Sequence, residues 1–444
     1  MPVEPPTPHL EAWRSYLHAR AGVSDADADA LTGQLVDVVG QLGQAGLSAD
    51  EAFLVAVKRL GGRDARIRGF GRELPGLLWE GTGPGSRRSG AAVAVGFAVL
   101  AGLAVRVPFL VASAPPGSAP GAATAAVLGV AVVLGAYLAV VRRRFVPGVV
   151  ATGLGIVVLL GLVQALYPFA PRGQTQTLFL LHLPIVLWLV LGAVYLGPGW
   201  RAPERWIEVV RFTGESIIHF VLIALGGGVL LGLANGMFRV AGIEAMTVLD
   251  SWVLPLGVGG AVVIAAWLVE AGKSVTGSLA AVLTRIFTPL FTVFLLAFLV
   301  AVLWTGQSLR ADRDLLILMD VLLAVVLGLV VFSLSSRPSA AAPDWTDRWR
   351  LVLLVSALAV DVLVLLAIGA RIAEWGASPN RLAAAGENVV LAINLSGAAW
   401  LQLGFLRGKR SFTSLVGWQC RYLPVLGVWA AVVAVGFGPL FGYL

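Results

Sequence analysis

The sequence predicts an all-α polytopic membrane protein, with about eleven transmembrane helices behind a small helical module at the N-terminus. Three observations predict it. Hydrophobic residues make up 58% of the 444 and charged residues 13%, whereas soluble domains run at roughly 45–50% apolar and about 25% charged. Mean hydropathy is +0.87. After residue 90 the apolar residues gather into stretches near the ~20 residues that a spanning helix requires, while the first 90 residues are polar and mixed in charge.

The N-terminal region comes first. Up to residue 90 there are 10 Lys+Arg and 11 Asp+Glu, a net of −1, and the remainder holds 22 and 14, a net of +8. The basic character therefore belongs to the membrane part, which favours a positive-inside reading over nucleic-acid binding. Three amphipathic helices fit residues 9–62. Leu10, Trp13 and Leu17 mark one face of the first, Leu31, Leu35, Val38 and Leu42 one face of the second, and Phe53, Leu54, Val57 and Leu60 one face of the third. Ser24 and Ser48 are placed as N-caps, with Asp27 and Glu51 three residues on. So few apolar side chains make a thin core, and the expectation is that the module docks on a cytoplasmic partner or a second copy. A Gly/Arg/Ser linker, residues 81–90, separates this module (1–80) from the bundle (91–444). No apolar core of a cleavable signal occurs in the first 90 residues.

Eleven spans follow, expected at 91–112, 122–141, 147–168, 177–196, 214–236, 252–271, 283–304, 315–334, 351–370, 387–406 and 423–443. With the N-terminus inside, the inner loops and span ends hold 15 basic residues, among them Arg142, Arg211, Lys273, Arg337, Arg350 and Arg410. The outer ones hold six: Arg172, Arg239, Arg310, Arg313, Arg371 and Arg381. That asymmetry predicts a cytoplasmic N-terminus and, for an odd span count, an extracytoplasmic C-terminus. Cys420 stands alone, which excludes an intramolecular disulfide and a multi-cysteine metal site.

Two stretches carry resemblances. "GQLGQAGLSADEAFLVAVKRLGG" resembles the permease prefix domain, a helical module found ahead of bacterial permease-like membrane regions. Gly46, Leu47, Ser48, Glu51, Ala52, Arg59, Leu60 and Gly61 match its pattern, and "GRELPGLLWE" (71–80) resembles the segment that follows it. The membrane part resembles the bacterial group called domain of unknown function 4153. The carrying residues are "RFTGE" (211–215), "HFVLIALGGGVL" (219–230), "AWLVEAGKSV" (266–275), "RIFTPLF" (285–291) and "EWGASPNRLAAAGENVVLAINL" (374–395). That group implies a fold and no chemistry, and the two resemblances together imply that the membrane is a bacterial inner membrane.

Candidate functional residues are the ionisable and amide groups inside spans, each costing about 2.5–3.5 kcal/mol at mid-membrane on insertion scales. Asp361 lies near the middle of the ninth span, Asn394 near the middle of the tenth and Asp320 in the eighth. Glu215 and His219 share a face of the fifth span, His182 sits in the fourth and Glu270 ends the sixth. Asp320 and Asp361 fall roughly 8 and 13 Å below the outer face at 1.5 Å per residue, against the about 3 Å of a proton-sharing dyad. The loop "RIAEWGASPNRLAAAGEN" (371–388) has a helix start at Ser378-Pro379. It leaves Arg371 and Arg381 to pair with Glu374 and Glu387 or to meet an anionic ligand. "LGGGVLLG" (225–232) reads as a close-packing face or as a broken helix at a cavity. "GKS" (272–274) departs from a phosphate loop, because Trp267 stands where glycine is required.

Neither a Gly-x-Ser-x-Gly nor a His-Glu-x-x-His motif occurs. The expectation is therefore a non-enzymatic membrane sensor or regulatory component, with the bilayer as partner and no cofactor, metal or nucleic acid. The alternative is a proton- or ligand-coupled secondary transporter with its site near Asp361 and Asn394.

Overall fold

The computed structural model describes residues 9–10, 13–14, 17, 25–44, 47, 49–63, 84–115, 119–143, 145–171, 173–240, 246–271, 276–305, 313–337 and 343–444. They form two compact units, residues 1–92 and 93–444. Ser24, Ser48, Lys273 and the segment 71–80 lie outside the described residues.

In the first unit, α1 (Asp25–Gln44) and α2 (Ala49–Arg63) pack on each other. Helix α1 buries Ala28, Leu31, Leu35, Val39 and Leu42, a helical stripe of three- and four-residue steps, and α2 buries Ala52, Phe53, Ala56, Val57 and Leu60. Trp13 and Leu17, both helical and wholly buried, close the same core, and the His9 ring lies 5.1 Å from that of Phe53. Val39 takes the place expected for Val38, which is half-buried, and Ala56 that of Leu54, which is exposed. The small Ala52 and Ala56 allow close approach on that side of α2 and rotate its buried stripe away from Leu54. These stripes cover one another in one small core.

Among the described residues, eleven helices are long and apolar enough to cross a membrane. They are α3 (Pro84–Val111), α4 (Pro120–Arg142), α5 (Pro147–Leu166), α6 (Gln174–Leu196), α7 (Trp206–Val240), α8 (Leu254–Glu270), α9 (Thr276–Thr305), α10 (Arg313–Ser335), α11 (Trp345–Trp375), α12 (Pro379–Leu406) and α13 (Phe412–Ala431). A π-helical turn, Leu249–Val253, leads into α8, and another, Val432–Gly436, prolongs α13. No strand occurs among the described residues. The protein is an all-α integral membrane protein.

Helix starts follow local chemistry. Pro120 and Pro147 occupy first-turn positions, where no backbone donor is needed. Asp344 and Asp347 form a reciprocal capping box at α11, and Ser378 caps α12 with Pro379 in its first turn. Helices α7, α11, α12 and α13 start earlier than the apolar stretches suggest, because their first turns are polar and lie beyond the apolar windows.

Helix α11 is the centre of the bundle, packed by α9, α10 and α12. Against α12 lies α13, and two glycines let it approach. A Cβ on Gly386 would run into the Trp429 ring, and one on Gly397 into that of Trp418. Helix α7 behaves differently. It runs unbroken through "LGGGVLLG", with Leu225, Val229, Leu230 and Leu233 exposed and nothing within 4 Å of a Cβ built on Gly226, Gly227, Gly228 or Gly232. Neither the close-packing face nor the broken helix expected there is present among the described residues.

Candidate functional site

Two ends of the bundle can be told apart by their side chains. The last turns of α4, α6, α8, α10 and α12 and the first turns of α7, α11 and α13 gather Arg142, Arg211, Arg337 and Arg350 with their partners; this is the basic end. The first turns of α6 and α12 and the last turn of α11 lie at the other end.

At that other end a cavity of about 610 Å³ opens between α6, α10, α11 and α12, within the 300–1,000 Å³ usual for small-molecule sites. Its rim carries Gln174, Thr177, Arg371, Ser378, Asn380 and Arg381. Deeper in, His182, Asp320 and Glu387 line it, and Leu181, Ile185, Ile317 and Val321 form apolar walls whose side chains are exposed.

Each polar group is positioned by its helix. The Ser378 cap and Pro379 start α12 directly after the tight turn at Gly376, whose φ of +76° suits glycine. Arg381 donates to the Trp375 and Gly376 carbonyls at 3.0 and 2.7 Å, occupying acceptors that the end of α11 leaves open. Arg371 and Arg381 both lie over the Trp375 ring, at 5.0 and 5.7 Å. The expected pairing of Arg381 with Glu387 does not form, because six residues of helix carry Glu387 down into the cavity. There Glu387 makes no ion pair or hydrogen bond among the described residues. Asn388 donates to Asp320 at 2.8 Å and to the Ala384 carbonyl at 2.8 Å. His182 is buried, and its Nδ1 meets the Leu178 carbonyl at 2.8 Å. That contact puts the proton on Nδ1 and leaves Nε2 as an acceptor in the neutral ring.

Asp361 is wholly buried in α11, and neither of its carboxylate oxygens has a hydrogen-bond partner among the described residues. It lies in Coulombic range of Asp320, as Glu387 does. No proton-sharing dyad of Asp320 and Asp361 is formed.

The other sequence candidates sit apart from the cavity. Asn394 and Gln419 exchange two hydrogen bonds of 3.1 Å each, and Trp418 donates to the Asn394 carbonyl at 3.1 Å. Asn394 therefore joins α12 to α13 and does not line the cavity with Asp320. Glu215 offers its backbone carbonyl to His219 Nδ1 at 2.8 Å, and neither residue lines the cavity that holds Asp320. A smaller cavity of about 240 Å³ between α4, α6, α7 and α8 is walled by apolar side chains apart from Thr213 and Ser216. Glu270 pairs with Arg142 at 3.0 Å. Among the described residues no trio of His, Cys, Asp and Glu could hold a metal ion.

The basic end contains a cluster whose arginines look like loop anchors in the sequence. Asp347, wholly buried, bridges Arg337 at 3.0 Å and Arg350 at 2.8 Å. Arg350 also donates to Ser333 at 2.9 Å, Gln402 to the Asp347 carbonyl at 3.0 Å, and Arg211 to the Ser335 carbonyl. Arg337 lies over the rings of Phe412 and Phe405. The signal is present in "DRWR" (347–350), where Asp347 and Arg350 are three apart on one helix face. Their burial depends on α10 and α12, which no local pattern specifies.

Compared with known proteins, the chain matches no family model, no curated protein and no solved structure.

Proposed function

We propose that this is a permease-like, non-enzymatic membrane protein whose bundle binds a ligand and passes its occupancy on as a sensor or regulatory component. The carrying observation is the cavity with three ionisable side chains at depth, His182, Asp320 and Glu387, and no ion pair among them. Groups needed only for packing are normally satisfied in place, whereas groups kept for a ligand are left open. In this reading the basic end faces the cytoplasm, as its arginines favour, and the cavity faces away from it. The N-terminal unit, with its resemblance to a permease prefix domain, serves as the docking module for a cytoplasmic partner or a second copy.

The second reading is a proton-linked secondary transporter, and Asp361 favours it. A buried carboxyl without a hydrogen-bond partner costs several kcal/mol whenever it is charged, and proton-coupled mechanisms use that property. Purified protein in liposomes with an entrapped pH dye separates the readings. The sensor reading expects no proton entry above the empty-liposome rate under an imposed gradient. Entry that disappears in Asp361→Asn would replace it with the transporter reading. Deleting residues 1–80 should leave the bundle folded and inserted while removing a partner or a second copy from pull-downs; an unchanged set of partners would contradict the docking role.

A further inference from the structure

The chemistry of the cavity narrows its ligand, on the reading above that the cavity binds one. Three acceptors face its depth: the carboxylates of Asp320 and Glu387, and Nε2 of His182, a side chain more than nine-tenths buried whose other nitrogen is committed to Leu178. Asp320 receives one hydrogen bond, from Asn388, and Glu387 none among the described residues. Acceptors gathered out of water call for a cationic donor. A primary ammonium, with up to three N–H donors, is the complementary group, and among the described residues no trio of His, Cys, Asp and Glu could hold a metal ion.

The rim has the opposite sign. Arg371 and Arg381 stand there, the latter oriented by two backbone carbonyls, and a planar guanidinium suits a phosphate. The walls supply the third feature. Leu181 and Ile185 on α6 and Ile317 and Val321 on α10 line the cavity and are also exposed within membrane-spanning segments. The side of the cavity between α6 and α10 is therefore apolar and exposed at the depth of the membrane-spanning segments.

We infer that the cavity takes the headgroup of a zwitterionic, ammonium-bearing phospholipid from the adjoining leaflet. The ammonium sits among Asp320, Glu387 and His182, the phosphate at Arg371 and Arg381, and the acyl chains leave between α6 and α10. A headgroup lacking the ammonium leaves two carboxylates facing no cation; one lacking the phosphate brings an unpaired cation past two arginines.

The test is native mass spectrometry of the full chain, released from nanodiscs of equal parts phosphatidylethanolamine and phosphatidylglycerol. The wild type should retain the ethanolamine lipid about tenfold over the glycerol lipid, and the isosteric double variant Asp320→Asn/Glu387→Gln should lose that preference. Equal retention by the wild type, or an unchanged preference in the double variant, overturns the inference. Ala324→Cys, on the cavity wall, labelled after folding with a bulky maleimide, tests the underlying reading, because Cys420 is buried. If labelling removes retained lipid while the headgroup preference is absent, the binding reading stands and the inference falls. If the labelled protein keeps all its lipid, both fall. Displacement of the lipid by millimolar free phosphoethanolamine would assign the site to the soluble head and overturn the lipid.

Discussion

The two ends of the bundle use the same side chains to opposite effect. At the basic end Asp347 is enclosed by two arginines, a backbone donor and the Gln402 contact on its own carbonyl. At the other end Asp320 has a single amide donor, and Glu387 has no ion pair among the described residues although Arg381 stands on the same helix. Asp347 is wholly buried and satisfied, whereas Asp320 and Glu387 are half-buried and open. An ion pair removed from water holds a structure together only when its remaining hydrogen bonds are made, and α10, α11 and α12 meet at the basic end with those bonds in place. At the other end the same three helices line an open space with acceptors in its wall, and the Asn388–Asp320 hydrogen bond links α12 to α10 there. The difference assigns holding to one end and binding to the other.

That contrast can be broken most forcefully at Asp347. Asp347→Ala leaves Arg337 and Arg350 without their shared carboxylate, and loss of one partner of a buried pair costs about 3–5 kcal/mol. Thermal unfolding in detergent should show a larger drop for this variant than for Asn394→Leu or Asp344→Ala. A loss below about 1 kcal/mol, the range of exposed pairs, would show that the cluster is solvated and not holding the helices.

Asn394 sharpens the comparison from the middle of α12. Its reciprocal bonds to Gln419 make it a link between helices, so Asn394→Leu should destabilise by about 0.6 kcal/mol and not more than about 1.7, as membrane hydrogen bonds do. Ligand retention should be unchanged, and a variant of full stability without bound ligand would return Asn394 to the binding site.

The smallest effect concerns pH. Asp344, at the start of α11, has a carboxyl held below its ordinary value. Partial burial works to raise it, and hydrogen bonds from the Thr346 hydroxyl and the backbone N–H groups of Asp347 and Thr346 outweigh that. A carboxyl depressed on folding contributes stability that is fully present above its unfolded value, near pH 3.9, and is lost as pH falls through the lower folded value. Wild type should thus lose a little stability over that acid window and Asp344→Ala should not; equal slopes would show that the cap is unformed.

The span pattern is legible in the sequence because hydropathy and length act locally, and all eleven helices appear where apolar stretches stand. The caps at Asp344 and Ser378 follow from residues adjacent in the chain, although the sequence analysis identifies only the second. Pairing is not legible. Asp320, Arg371 and Arg381 are candidates on sequence and do line one cavity, yet Glu387 reads as a loop acid because the apolar stretch of the tenth span begins there, whereas the helix begins at Pro379. Depth alone groups Asn394 with Asp361, and the partner of Asn394, Gln419, lies on another helix. Arg337 and Arg350 resemble topology anchors, since a charge near a span end says nothing about the carboxylate that packs beside it. In the N-terminal unit one position of rotation separates Val38 from Val39, which a stripe of mixed three- and four-residue steps does not resolve.

The central claim is that acids at the cavity end are kept for a ligand and acids at the basic end for the fold. It is tested most directly by unfolding Asp320→Asn/Glu387→Gln beside Asp347→Asn in ligand-free detergent. The account predicts that removing the two cavity charges leaves the midpoint unchanged or raises it, because those charges lack counter-charges, while Asp347→Asn lowers it by several degrees, as a loss of about 1–3 kcal/mol does in a large domain. A cavity double variant that unfolds as early as Asp347→Asn would contradict it.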